Sequence, residues 1–375
     1  MGTEKGFTAE DYYTIKAFRQ KQAWSYGRKL IHAQEVAESF VEECKERGLN
    51  CHVSVGGLDS ITLLLFLRDI GIDVPAISVS SLEDKSIQEI HKKLGVEALK
   101  PAMRPDGHRW NKQKIIQEFG FPVLSKETAL KIETLQNPTE KNKTVRHAII
   151  TGETGAYGGF RKGTRMQLKK KWLEKFGGYE NENEGVNYGC PDFKVSSKCC
   201  YYLKEKPCED WAKEHNSVPF LGLMASEHGR REKSLMLNGC NYFGKTTIRS
   251  APFAIFTRQD LLSLALDLKV PIPEIYGEIK SRNQRWDGDL GELYTTGAQR
   301  TGCSMCGFGI HLEDRPHRFD RLRERNPKEW EFWMYRCVTD PMTGEKYGWG
   351  RVLDYIGVSW EDEFFDMEEN QMKFF

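Results

Sequence analysis

The sequence predicts an α/β fold: a doubly wound, mainly parallel sheet preceded by an N-terminal helical segment. Three observations predict it. A long opening stretch is rich in helix formers and free of proline. Two β-prone runs then flank a helical apolar face, at the spacing of a βαβ unit. A glycine pair stands where the first run meets that helix.

In order, the helical stretch spans about Thr8 to Arg47, with Gly27 as its sole interior glycine. Cys51 to Val55 is the first strand, stopped by Gly56-Gly57. Leu58 to Leu67 carries a helical apolar face that Gly71 ends. Val74 to Ser80 is the next strand and Ile87 to Leu94 the next helix. Lys131 to Asn187 mixes glycine, asparagine and charge and reads as an insertion or flap. Between residues 161 and 175, Arg161, Lys162, Arg165, Lys169, Lys170, Lys171 and Lys175 oppose only Glu174. The α/β pattern resumes with Val218 to Met224 and a helix from about Glu227. Thr257 is the expected N-cap of a further helix through Leu268, closed by Pro271 and Pro273. The part after Cys306 is charged and aromatic.

Gross composition narrows the function classes. The 375 residues are ample for one large domain or two. A net charge of +1 gives no whole-chain field toward nucleic acid, so any basic surface is local. Mean hydropathy is −0.59, and no apolar run reaches the roughly 18 residues that span a bilayer. Met1 to Asp11 is polar, without the apolar core of a secretory leader, so a cytoplasmic protein is expected. Clustered cysteines in such a setting read as metal or redox sites. Of the ten cysteines, Cys44, Cys51, Cys190, Cys208, Cys240 and Cys337 stand singly and are expected to be inert. Cys199-Cys200 and Cys303-x-x-Cys306 stand out.

Two constellations carry chemistry. In Val55-Gly56-Gly57-Leu58-Asp59-Ser60, the glycines let backbone N–H groups approach an anion, and the helix start adds its positive dipole end. Ser60 can donate to a phosphate oxygen; Asp59 can orient the loop or help hold Mg²⁺. A plain tight turn with no ligand is the alternative. The four thiolates of Cys199, Cys200, Cys303 and Cys306 are the complement of a [4Fe–4S] cluster or a structural zinc. Adjacent cysteines suit a cubane better, because it spreads its ligands over separate irons.

The glycine turn resembles the Ser-Gly-Gly-x-Asp-Ser signature of PP-loop ATP pyrophosphatases and PAPS reductases. Val55 replaces the first serine, and Leu58 stands where sulfur-transfer relatives often carry lysine. The cysteines resemble the ligand set of APS reductases and PAPS-reductase-like sulfur-transfer proteins. The flanks Ser196-Ser197-Lys198 and Gly307 to Glu313, with Pro122 to Glu127, Leu235 to Asn241 and Val352 to Gly357, resemble a phage and bacterial subgroup. Gly222, Glu227 and Arg231 match the superfamily's Gly-x-Arg-x-x-Glu-Ser-x-x-Arg element; Met224 and His228 do not.

This resemblance implies a PP-loop nucleotide-binding domain over 49–275 with a basic insertion around 131–190. A helical segment over 1–48 would precede it, and 276–375 would complete the iron–sulfur site. It implies an adenine nucleotide, ATP or PAPS/APS, held with Mg²⁺ by Gly56, Gly57, Leu58, Asp59, Ser60, Glu227 and Arg231. Asp59 and Ser60 would be catalytic. The [4Fe–4S] ligands would be Cys199, Cys200, Cys303 and Cys306. Reductases attack sulfate sulfur with a thiol on a C-terminal tail, yet Trp360 to Phe375 holds no cysteine. The expectation is therefore ATP-dependent sulfur transfer, with a cysteine desulfurase as donor and tRNA or DNA as acceptor. Sulfonucleotide reduction and a non-catalytic nucleotide-binding module are the alternatives, and the oligomeric state stays open, a dimer included. In the basic insertion, Trp172 and Tyr157 would be available for base stacking, with a solvated flap as the other reading.

Overall fold

The opening stretch forms two helices rather than one: α1 (Ala9–Gln22) and α2 (Tyr26–Glu46). The break has no proline or glycine behind it. Ser25 is extended (φ −61°, ψ 153°), and Arg28 stacks 3.8 Å over the Trp24 ring. This computed structural model describes residues 9–154, 166–178, 180–181, 186–227, 229–283, 291–299 and 301–361. The chain divides into two units, each made of two stretches: 1–102 with 204–303, and 103–203 with 304–375.

The first unit is the α/β unit. Its strands are β1 (Asn50–Ser54), β2 (Ala76–Ser78), β3 (Glu97–Ala98), β4 (Ser217–Leu221), β5 (Asn241–Phe243) and β6 (Ile248–Ser250). They make one six-stranded sheet in the order β3-β2-β1-β4-β6-β5. All neighbours are parallel except β5 on β6, so the mainly parallel α/β architecture is as the sequence predicts. The flanking helices include α3 (Leu58–Asp69), α4 (Lys85–Lys93), α5 (Lys206–Glu214), α6 (Gly229–Asn238) and α7 (Arg258–Asp267). Helix α3 buries Leu58, Ile61, Leu63, Leu64, Phe66 and Leu67, apolar around most of its girth, as a helix packed on a buried parallel sheet requires. Helix α2 buries Ala33, Val36, Ala37, Phe40 and Cys44, a single helical stripe. Phe40 meets Phe220 of β4 edge to face at 5.0 Å. An antiparallel hairpin, Ile279–Arg282 with Glu292–Thr295, follows α7.

The second unit is largely helical, with a core of its own around Phe121, Phe176, Phe319 and Trp349. Much of the expected flap is ordered helix there: Lys126–Gln136, Lys143–Thr151 and Lys170–Phe176. The stacking role expected of Trp172 is corrected. Its indole is 7% exposed and packs in this core, because the helix of residues 170–176 turns Trp172, Leu173 and Phe176 inward. Lys169, Lys170 and Lys171 remain exposed. Tyr157, Arg161, Lys162 and Arg165 lie outside the described residues. Among the described residues no helix is long and apolar enough to cross a membrane.

Candidate functional site

The carboxyl end of β1 leads straight into the glycine turn. Val55 is 5% exposed, a core residue, and its N–H donates to the Ile77 carbonyl at 2.9 Å, prolonging the ladder with β2. A serine hydroxyl is not needed there to hold the backbone. Strands β2 and β3 are added to one side of β1; β4, β6 and β5 lie on the other. The turn therefore opens at the topological switch of the sheet, outside the carboxyl ends of β1 and β4, where open α/β sheets bind ligands. Gly222, just past β4, touches the first turn of α3. A Cβ there would lie 3.0 Å from the Asp59 backbone and from Ser60 Cα.

The turn is braced from several directions. The Gly56 N–H donates to Ser60 Oγ at 2.7 Å, and that hydroxyl donates to the Gly57 carbonyl at 3.0 Å. His91, on α4, reaches the Gly56 carbonyl through Nε2 at 2.8 Å. Its Nδ1 meets Ser80 Oγ at 2.9 Å. The pattern fixes the tautomer: Nε2–H donates to Gly56 while Nδ1 accepts from Ser80. His91 is 1% exposed, and burial lowers its pKa, so the ring stays neutral. The Leu58 N–H donates to Tyr276 Oη at 3.1 Å, and Tyr276 and Thr301 share a hydroxyl bond of 2.8 Å. Asp59 pairs with Arg258, the first residue of α7, at 2.5 Å; Arg258 also donates to the Gln299 carbonyl at 3.3 Å.

The two glycines differ. A Cβ on Gly57 would fall 2.2 Å from Tyr276 Oη, so the fold itself demands glycine. A Cβ on Gly56 would meet only Ser60 Oγ at 3.8 Å and Glu83 Oε1 at 3.9 Å, ordinary contacts. Gly56 also lacks a positive φ. Neither space nor backbone conformation within the protein explains it.

Glu83 extends the site toward a cysteine. Its Oε1 accepts from Lys204 Nζ at 2.5 Å, and Lys204 also hydrogen-bonds the Cys303 side chain. Burial alone would lower the Lys204 pKa, but the Cys303 sulfur and the Glu83 carboxylate raise it, so the ammonium is held. Sequence reading missed Lys204, Glu83, His91, Arg258 and Tyr276. Only the position of Lys204 carried a signal: it lies four residues beyond Cys200.

The cysteines fall on both units. Cys303 ends the first; Cys199, Cys200 and Cys306 belong to the second. Cys199 is buried and Cys200 half-buried, on a helical turn (Lys198–Cys200) that continues as a π-helical turn, Tyr201–Glu205. Such turns recur at functional sites. Glu133 anchors the approach, accepting from Ser196 Oγ at 3.0 Å and the Ser197 N–H at 3.3 Å. Cys306 precedes a short strand, Gly307–Phe308, paired with Val123–Leu124. Met305 (φ 52°) and Leu124 (φ 67°) are left-handed non-glycine residues, a strain that tends to gather at functional sites. His311 Nδ1 is buried with no hydrogen-bond partner among the described residues, and the ring packs edge-on to Trp172 at 5.7 Å. Among the described residues, no three His, Cys, Asp or Glu side chains are gathered as around a single metal ion. Glu227 lies in a 3₁₀ turn (Ala225–Glu227) after β4; Arg231 falls on α6, and its side chain lies outside the described residues.

No family model matches the sequence, and no curated protein matches it. Among solved structures, the chain is similar to the phosphate complex of phosphoadenylyl-sulfate (PAPS) reductase from Candida auris. The similarity has a TM-score of 0.35 at 10% identity and covers 77% of this chain and 100% of that one.

Proposed function

We propose that this chain is an enzyme of the PAPS reductase superfamily that binds an adenine nucleotide at the glycine turn and acts in ATP-dependent sulfur transfer. The observation that carries the nucleotide half is Gly56. It stands at a helix start on the sheet's switch point, yet the protein's own packing leaves room for a side chain there. A ligand's close approach to the backbone supplies the missing reason for glycine. Leu58, Asp59 and Ser60 belong to the same turn, and Glu227 and Arg231 follow the neighbouring strand. Asp59 would reach Mg²⁺ only by loosening its pair with Arg258.

In this reading Cys199, Cys200, Cys303 and Cys306 hold a [4Fe–4S] cluster. The donor type suits one, since thiolates are the ligands such clusters take, although no three such side chains are gathered among the described residues; Lys204 offers Cys303 a cationic hydrogen-bond donor of the kind that tunes a cluster sulfur. When bound, the cluster supplies a centre that holds or relays sulfide. The residues of this chain would orient the nucleotide: backbone N–H groups take the phosphates, and His91 keeps the Gly56 peptide facing one way. A cysteine desulfurase would be the donor and a nucleic acid, tRNA or DNA, the acceptor.

Calorimetry with ATP, PAPS and the Gly56→Ala variant tests the nucleotide half. Gly56→Ala should keep its thermal midpoint, because the site tolerates a methyl, and lose at least about tenfold in affinity, or about 1.4 kcal/mol. Equal affinity in both proteins would sink the assignment. Iron and sulfide counts on anaerobically prepared protein test the cluster; a colourless zinc protein overturns it. Pyrophosphate release from ATP in the presence of tRNA or DNA tests sulfur transfer, whereas sulfite release from PAPS or APS would favour the reductase.

A further inference from the structure

The glycine turn is stoppered from within. The Leu58 N–H, which a phosphoryl oxygen at the start of α3 would need, already donates to Tyr276 Oη at 3.1 Å. The same hydroxyl fills the space above Gly57, and Thr301 Oγ1 would lie 3.0 Å from a Cβ there. A phosphoryl group and the Tyr276–Thr301 pair therefore compete for one donor and one volume.

The stopper is held on two sides, by the Tyr276–Thr301 hydroxyl bond and by backbone pairing. Tyr276 ends the turn Glu274–Tyr276, and its carbonyl accepts from the Gly297 N–H at 2.8 Å. The Ala298 N–H donates to the Ile275 carbonyl at 2.9 Å, and the Thr296 N–H to the Glu278 carbonyl at 2.9 Å. This ladder continues into the antiparallel pair Ile279–Arg282 and Glu292–Thr295. These bonds tie the backbone at Tyr276 to residues 296–298, a short way before Thr301. The stretch is tied down again by Arg258 on the Gln299 carbonyl and by Lys204 on Cys303.

We propose that Tyr276 and Thr301 form a gate on the glycine turn, displaced together when the phosphates of a nucleotide bind. The proposal rests on the nucleotide reading given above. The gate lowers apparent affinity by the fraction of molecules in which it is shut. Removing the Tyr276 hydroxyl strips two hydrogen bonds from the shut state alone and leaves the Leu58 N–H without a partner there.

The test is calorimetric titration of wild type, Tyr276→Phe and Thr301→Val with MgATP and with inorganic pyrophosphate. Tyr276→Phe should bind both roughly fivefold tighter, the size one net hydrogen bond supplies, and Thr301→Val should move the same way by less. Hydrogen exchange in the 276–298 ladder should speed up on adding MgATP to wild type. A damaged fold would weaken binding, so a gain of affinity is diagnostic. Weaker binding by Tyr276→Phe would mean that the phenol contacts the ligand, and unchanged binding that it does not oppose it. Either overturns the gate while leaving the nucleotide reading intact. Binding by none of the three proteins overturns both.

Discussion

His52 lies in the middle of β1, 1% exposed, with Nδ1 2.8 Å from Ser217 Oγ and its ring edge-on to Trp211 at 5.1 Å. Burial, and secondarily His215, lower its pKa to about 4. Burial lowers His91 in the same direction. The folded protein thus binds fewer protons than the unfolded chain, whose histidines titrate near 6.5. The stability they contribute is complete above about pH 6.5 and is lost as pH falls toward 4, on the order of 3 kcal/mol for His52. Urea midpoints should therefore drop between pH 7 and pH 5, and His52→Gln should flatten that drop; a profile unchanged by the substitution would refute the assignment. Among the single cysteines, burial pushes Cys51 and Cys337 up to about 12 and Cys208 and Cys240 to about 11, which keeps them as thiols. At this scale the turn of Gly56, Gly57, Asp59 and Ser60 is legible in the sequence, because a strand-to-helix turn is set by adjacent residues. Arg258 is not, and Lys204 only by its place near Cys200: their partners Asp59 and Glu83 stand 199 and 121 residues away, and no short pattern encodes such a pair.

Helix α7 shows how far an element can be read. Thr257 caps it as its sequence suggests, in a reciprocal box with Asp260. Asp260 has a second task. It accepts from Lys29 Nζ at 2.7 Å, in a pair whose side chains are 5% and 11% exposed, tying α2 to α7. Breaking a buried pair on one side leaves a charge without compensation. Lys29→Met should lower unfolding stability by about 3 kcal/mol, and adding Asp260→Asn to it should recover part of that loss. A Lys29→Met protein within about 1 kcal/mol of wild type would show the pair to be solvated. The α1–α2 break was hidden for a related reason. Ala23, Trp24 and Ser25 are not helix breakers by type, and it is the packing of Trp24 under Arg28 and against His32 that accompanies the bend. Strand β2 (Ala76–Ser78) is also shorter than the run Val74 to Ser80, since its register with β1 covers only Ala76 and Ile77.

At the scale of the whole chain, the mainly parallel sheet was legible from the alternation of strand-like and helix-like runs around a glycine turn. The interleaving of two units was not, because no shift of composition marks the passages at 102–103, 203–204 and 303–304. What does mark two of them is cysteine: Cys199-Cys200 shortly precedes one passage, and Cys303-x-x-Cys306 spans another. The strand order has a consequence for synthesis on the ribosome. β1 sits centrally in the sheet, yet β4, its partner on one side, is encoded far downstream; His52 and Ser217 are 165 residues apart. At about 5–20 residues per second, β1 emerges on the order of 10 s before β4 can join it. A chain ended after residue 203 retains β1, β2 and β3 but lacks β4, β5 and β6, which leaves one side of β1 as an open apolar edge. Such a fragment should partition into the insoluble fraction while the full chain stays in solution, and a soluble, monomeric fragment with native circular dichroism would contradict this. The newborn protein thus carries its own aggregation hazard for as long as translation takes to pass from residue 103 to β4, and slowed elongation there should raise its dependence on chaperones.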